Sequence, residues 1–214
     1  MNTIEHILPN EIEKRSFEII EEELESMGVH IPDEVGFIVK RAIHTTADFD
    51  YAESLKFSEK AVERIKSLLC SGAVIVTDTN MALSGINKKA LAELGCEAFC
   101  FMADVDVARD AVRRGVTRAT VSMEKAAAIK KPVIFAIGNA PTALISLRSM
   151  YDSGSFIPAA VIGVPVGFVN VEAAKELIME TDMTYIVNRD RKGGSNVAAA
   201  IVNAFLYKLR QERV

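Results

Sequence analysis

The sequence predicts a single α/β domain of three layers, α/β/α, built on a mostly parallel five-stranded sheet and preceded by a helix-rich N-terminal segment. Three observations carry this expectation. The 214 residues, half of them hydrophobic and a quarter charged, suit one core-bearing domain over residues 1–214. Beyond Gly72, short apolar runs alternate with stretches of helical spacing, the pattern of a parallel sheet covered on both faces. Before Gly72 the apolar residues recur at helical intervals.

The elements follow in chain order. From Glu11 to Met27, Ile12, Phe17, Ile20 and Leu24 share one helix face, glutamates fill the other, and Gly28 stops the helix. A second helix is expected from an Asp33 cap to about His44, and a third from a Ser58 cap to Leu69. Strands are expected at Ala73–Val76, Ala98–Phe101, Val133–Ile137, Ala159–Ile162 and Tyr185–Val187. Helices at Asn87–Leu94, Ala108–Arg114, Pro141–Met150, Glu172–Glu180 and Asn196–Leu209 separate or follow them. No linker, repeat or low-complexity segment interrupts the series.

Composition excludes several classes. A net charge of −4 and a pI near 5.5 lack the basic excess of a nucleic-acid binder. No apolar run reaches the roughly 18 residues of a membrane span, and the polar start MNTIEHILPNEIEKRSF has no apolar signal core. A cytoplasmic protein is expected. Cys70, Cys96 and Cys100 form no CxxC pair; on one strand Cys96 and Cys100 would stand about 13 Å apart, beyond disulfide reach. They read as buried free thiols. The glycine-rich nucleotide fingerprints and HExxH are absent, and three histidines with three scattered cysteines make no zinc site. Asp78 and Asp104 offer one carboxylate per loop, too few for a metal.

Ligands of open parallel sheets bind where the carboxyl ends of the strands meet loops. Four such loops are rich in glycine, proline and small polar residues: Thr77-Asp78-Thr79-Asn80, Gly138-Asn139-Ala140-Pro141, Gly163-Val164-Pro165-Val166-Gly167 and the stretch 188–195. Ordinary turn chemistry accounts for any one of them, and less well for four on one edge. Gly193-Gly194-Ser195 opens the last helix, whose free amides and positive dipole end suit an anion. Arg15, Arg118, Arg189, Arg191 and Lys192 add cations, arginine favouring two-pronged contacts. Taken singly they read as solvated charges; together with the glycine loops they point to a polyanionic small molecule.

His44 stands apart from His6 and His30, which fall near a terminus and in a turn. It closes a helix with Arg41 one turn earlier on the same face, a cation expected to favour the neutral ring and proton exchange near pH 7. Stabilisation of the helix end by a terminal histidine is the competing reading.

The stretches Glu13–Phe17, Arg41–Asp50, Thr77–Lys88, Ile137–Leu144, Gly163–Val169 and Lys192–Val197 together resemble the precorrin-8 methylmutase family of vitamin B12 biosynthesis, in matching order over nearly the whole chain. The resemblance implies an intramolecular methyl-transferring isomerase that moves a methyl group from C-11 to C-12 of a corrinoid macrocycle, giving cobyrinate or hydrogenobyrinate. It implies no separate cofactor. It places the catalytic histidine at His44 and substrate contacts at Ser16 and Arg41. His44 would protonate or hydrogen-bond a ring nitrogen. With the anion set above, the substrate-binding residues are Arg15, Ser16, Arg41, Thr79, Arg118, Gly138, Asn139, Gly167, Gly193, Gly194 and Ser195. HTTADFDY with TDTNMALSGINK resembles the cobalt (anaerobic) branch, whose substrate is cobalt-precorrin-8 rather than precorrin-8X. The resemblance further implies a homodimer with its pocket near the subunit interface, and leaves room for hand-off of product to the next enzyme. A non-catalytic tetrapyrrole carrier and a phosphate-ligand α/β enzyme using Gly193–Asn196 are the rival readings.

Overall fold

The computed structural model of the chain describes residues 6–213. At its centre lie six strands: β1 (Leu55–Phe57), β2 (Val74–Thr77), β3 (Glu97–Phe99), β4 (Val133–Ile137), β5 (Ala160–Gly163) and β6 (Tyr185–Asn188). They form one sheet in the order β1-β6-β5-β4-β2-β3. β2 to β6 pair in parallel, and they are the five expected strands. The sixth corrects the count: β1 pairs antiparallel with the far edge, Leu55 opposite Asn188 and Phe57 opposite Ile186. Three residues, of which only Leu55 is fully buried, leave no apolar run long enough to read as a strand.

Each central strand sends alternate side chains into two cores, as a pleated ribbon with period two must. Ile75, Ile134, Ile162 and Ile186 join the first core, with α1 (Ile12–Ser26), α2 (Asp33–Thr46), α4 (Ala61–Cys70), α6 (Lys88–Glu93) and α11 (Ser195–Glu212). Val74, Val76, Phe135, Val161 and Val187 join the second, under α8 (Arg118–Ala126), α9 (Pro141–Asp152) and α10 (Val171–Met179). Helix α7 (Val105–Arg114) packs Val107 and Ala111 onto Val121 of α8. Two one-turn elements, α3 (Tyr51–Ser54) and α5 (Asn80–Gly85), complete the chain. Both faces of the sheet are therefore dry, which explains the near-continuous apolar strands.

Some helix boundaries differ from expectation. Ser58 does not cap α4: its amide donates to the Tyr185 carbonyl and its hydroxyl accepts from the Tyr185 amide, extending the β1–β6 pairing. The helix begins only after Lys60, in the left-handed region at φ 57°. Helix α2 runs two residues past His44, to Thr46, and closes on Ala47 at φ 53°. Cys70 is exposed rather than buried, whereas Cys96 is buried and donates to the Leu69 carbonyl. No helix among the described residues is long and apolar enough to cross a membrane.

The antiparallel edge strand positions the site. Because Leu55 of β1 lies beside Asn188, the last residue of β6, the chain arriving from α2 through α3 meets the carboxyl edge of the parallel strands. Helix α11 departs from that edge and packs against α2, Phe205 meeting Phe37 edge-on at 5.5 Å.

Candidate active site

Helices α1 and α2 build one side of the site. His44 is exposed on the last turn of α2 and stacks on Phe17 of α1, ring centroids 5.2 Å apart. Ser16, next to Phe17, shares with His44 the wall of a recess of about 250 Å³, completed by Ile20, Glu23, Ala47 and Phe49. Its hydroxyl donates to the Ile12 carbonyl at 2.9 Å and still has lone pairs for a ligand. Around this imidazole the walls are mostly apolar, a setting that strengthens any hydrogen bond the ring makes.

Phe17 also contacts Arg41. Its guanidinium lies 4.7 Å from the Phe17 ring centre and 5.1 Å from that of Tyr207 in α11. Glu13 pairs with one terminal nitrogen, while the buried Nε has no partner among the described residues. With Lys40 and Lys208, Arg41 lines a second recess of about 190 Å³ floored by Phe17, Phe37 and Tyr207. Arg15 points elsewhere, to Glu18 and Glu22 on its own helix.

The carboxyl-edge loops form the other part. Asp78, fully buried after β2, accepts from the amides of Gly138 (2.9 Å), Asn139 (2.8 Å) and Ala140 (2.6 Å). Burial pushes its carboxyl up while these three amides pull it down, and the net direction is upward. The β4–α9 amides are thereby consumed inside the protein, so Gly138 and Asn139 have no backbone donors to offer an anion; only the exposed Asn139 side chain remains. Gly138 has a different task, since a Cβ there would lie 2.6 Å from Cα of Ser195. Thr79 caps α5 by accepting from the Ala82 amide and shares a 2.7 Å hydrogen bond with the Ser195 hydroxyl. Gly193, at φ 147°, places its Cα where a Cβ would sit 2.1 Å from the Val164 carbonyl oxygen. Gly194 donates to the same carbonyl at 2.9 Å, and Gly167 donates to Arg191 at 3.1 Å. Helix α11 then starts without a side-chain cap, leaving its first-turn amides and dipole for an anion.

Lys192 joins the two parts. Its ammonium bridges Asp48, at 2.7 Å, and Asp50, which follow His44 in sequence. Partial burial works to raise the Asp48 carboxyl, but the Lys192 hydrogen bond, the Asp50 amide and the Lys192 charge outweigh it and hold it low. The two carboxylates in turn hold Lys192 well above the ordinary lysine range. Ser54 accepts from the Arg189 amide at 2.8 Å, a second tie between the same segments.

The predicted residues thus fall into three places. Ser16, Arg41 and His44 converge around Phe17. Thr79, Gly138, Asn139, Gly167, Gly193, Gly194 and Ser195 share the carboxyl edge. Arg118 is exposed at the start of α8, in the opposite helical layer, and makes no ion pair among the described residues. Its neighbour Thr117 bonds Thr142 of α9 at 2.9 Å, so Arg118 still lies toward the carboxyl edge. Sequence reasoning missed Phe17 as the common platform, the carboxylate of Asp78 as a loop anchor, and Lys175 of α10. The last is buried and donates to the Asp190 and Lys192 carbonyls; nothing in a helical VEAAKELIM segment distinguishes it from a solvated lysine.

His44 thus lies in a largely apolar recess, and Lys192 ties the segment that follows it to the loop before the uncapped start of α11. Residues 11–208 match the family model for CbiC, precorrin-8X methylmutase. The cobalt-precorrin-8 methylmutase of Salmonella typhimurium is 47% identical over 175 residues, 81% of each chain. That of Leptospira interrogans is 40% identical over 208 residues, 93% of each chain. A crystal structure of the precorrin-8X methylmutase from Thermus thermophilus aligns with a TM-score of 0.85 and 35% identity, covering 95% of this chain and 100% of that one. The chain belongs to the precorrin-8X methylmutase family, the methyl-moving isomerases of cobalamin biosynthesis.

Proposed function

We propose that this isomerase takes cobalt-precorrin-8 and moves its methyl group from C-11 to C-12, giving cobyrinate, with His44 exchanging a proton with the macrocycle. The observation that carries the reading is the placing of His44 and Ser16 on one wall of a largely apolar recess. A macrocycle edge entering that recess would meet one ring nitrogen donor and one hydroxyl. Protonation or hydrogen bonding at a corrinoid nitrogen withdraws electron density from the adjacent ring carbons, easing cleavage of the C-11–methyl bond as the C-12–methyl bond forms. The proton returns to His44 at the end, so atoms and charge balance. Such a positioned acid is typically worth ~10²–10⁴-fold in rate.

The acidic side arms of the ring suit Arg41 and Arg118 and the amides of Gly193 and Ser195 at the start of α11, the Gly194 amide being held by Val164. Thr79 orients Ser195 through their hydrogen bond, and Gly138 and Gly167 shape the floor. The cobalt substrate is favoured because the relatives from Salmonella and Leptospira carry the cobalt name. We further propose a cytoplasmic homodimer that passes its product onward. Val166, Phe168 and Val169 of the β5–α10 loop stand in solvent, Phe168 at 82% exposure, an apolar prominence suited to a second copy. Sedimentation at micromolar protein should show the dimer, and a persistent monomer would remove that part. Absorbance spectroscopy tests the reaction itself. Conversion of the substrate spectrum to that of the corrin product supports the isomerase; stoichiometric binding with an unchanged spectrum means a carrier.

A further inference from the structure

Lys175 is the one lysine or arginine that the described residues bury completely, at 1% exposure. Its ammonium meets no carboxylate in a hydrogen bond. Instead it donates to two carbonyls of the β6–α11 loop, Asp190 at 2.7 Å and Lys192 at 2.8 Å. The loop it grips is otherwise costly. Asp190 sits at φ 83°, and Gly193 and Gly194 follow at φ 147° and 141°, regions that L side chains rarely adopt. Two further bonds close the turn: the Lys192 amide donates to the Asp190 carboxylate at 2.6 Å, and the Asn188 side-chain amide donates to the Lys192 carbonyl at 2.5 Å.

We infer that Lys175 is a positioning residue for the substrate site: its ammonium fixes the 190–192 turn so that Lys192 reaches Asp48 and Asp50 beyond His44 while the Gly193–Ser195 amides stand at the carboxyl edge. The inference rests on reading that edge as the corrinoid site. The geometry gives the turn three outgoing tasks. The Lys192 side chain runs to the His44 segment, the Arg191 carbonyl accepts from Gly167 and the Gly194 amide donates to Val164. A charged donor common to the Asp190 and Lys192 carbonyls keeps all three in register, and a charge-assisted bond holds a carbonyl more tightly than a neutral one.

The grip is also titratable. Burial pulls the Lys175 amine down to about 8, against the opposing charges of Asp190 and Glu172. The other charges around it are spoken for: Arg191 pairs with Glu172, Arg189 with Glu176 and Lys192 with Asp48 and Asp50. Loss of the Lys175 proton leaves a neutral amine under the two carbonyls.

The test compares wild type, Lys175→Met and Lys175→Arg in two measurements, amide hydrogen exchange over residues 189–197 and cobyrinic acid binding by absorbance. In Lys175→Met, exchange in that segment should rise and binding weaken, each on the order of 10-fold, with turnover at saturation changed far less. Lys175→Arg, always charged, should restore both near pH 7 and keep binding above about pH 8, where wild-type binding declines. Unchanged exchange and binding in Lys175→Met would overturn the inference, as would wild-type binding that does not vary with pH across that range. If wild type binds no corrinoid at all, the proposed function fails, and the exchange data still decide the role of Lys175. If Lys175→Met does not fold, the wild-type and Lys175→Arg pH profiles decide alone.

Discussion

At the scale of single residues, Phe17 is the contact that His44 and Arg41 share. Its ring carries His44 in a stack and Arg41 in a cation–π contact, the side chains proposed for proton exchange and for anion binding. Replacing His44 with alanine should lower turnover by ~10²–10⁴-fold while leaving corrinoid affinity within a few-fold, as single-turnover absorbance and equilibrium titration would show. Full activity in that variant would remove the role. Arg41→Ala should act the other way, weakening binding more than turnover at saturation, because the lost charge meets the substrate in ground and transition states alike. Of these three residues, two were legible in the sequence. Phe17 is legible only as part of an apolar helix face, since a half-buried aromatic at helical spacing looks the same whether it faces a core or a ligand.

At the scale of elements, the loops at the carboxyl edge are held by buried groups within the protein. Asp78 occupies three amides of the β4–α9 turn, and Asp78→Ala would leave those donors unsatisfied. A loss on the order of 1–3 kcal/mol is expected, read as a lower denaturant midpoint, and an unchanged midpoint would show that the amides find other partners. Gly138→Ala should cost a similar amount, because its Cβ would meet backbone of Ser195 at 2.6 Å, where no flexible side chain can yield. The parallel strands were legible because residues such as Ile134 and Phe135 are buried on opposite faces in succession, giving continuous apolar runs. Strand β1 was not, since its identity depends on β6 arriving beside it more than 120 residues later. The glycine loops were legible as lying at the carboxyl edge, but what Gly138 and Gly193 do there was visible only once Ser195 and Val164 stood against them.

At the scale of the whole molecule, the antiparallel edge strand brings the segment after α2 beside the β6–α11 loop, the two parts of the proposed site. Lys192 fastens this union, and Lys175 shapes the turn that presents it. The buried amine also leaves a signature in global stability. Its native value of about 8 lies below the ordinary 10.5, so the unfolded chain binds the extra proton between those pH values. Stability contributed by this group therefore rises with pH across that window and is flat below it. Denaturation midpoints of wild type relative to Lys175→Met should climb between about pH 8 and pH 10, even as the loop slackens; parallel curves would contradict the burial argument. The central claim is a methyl shift catalysed through His44, and it is tested most directly by following cobalt-precorrin-8 by absorbance with wild type and with His44→Ala. The account predicts complete conversion to cobyrinate by wild type and bound but unconverted substrate with the variant. Binding without conversion by wild type, or equal turnover by both proteins, would contradict it.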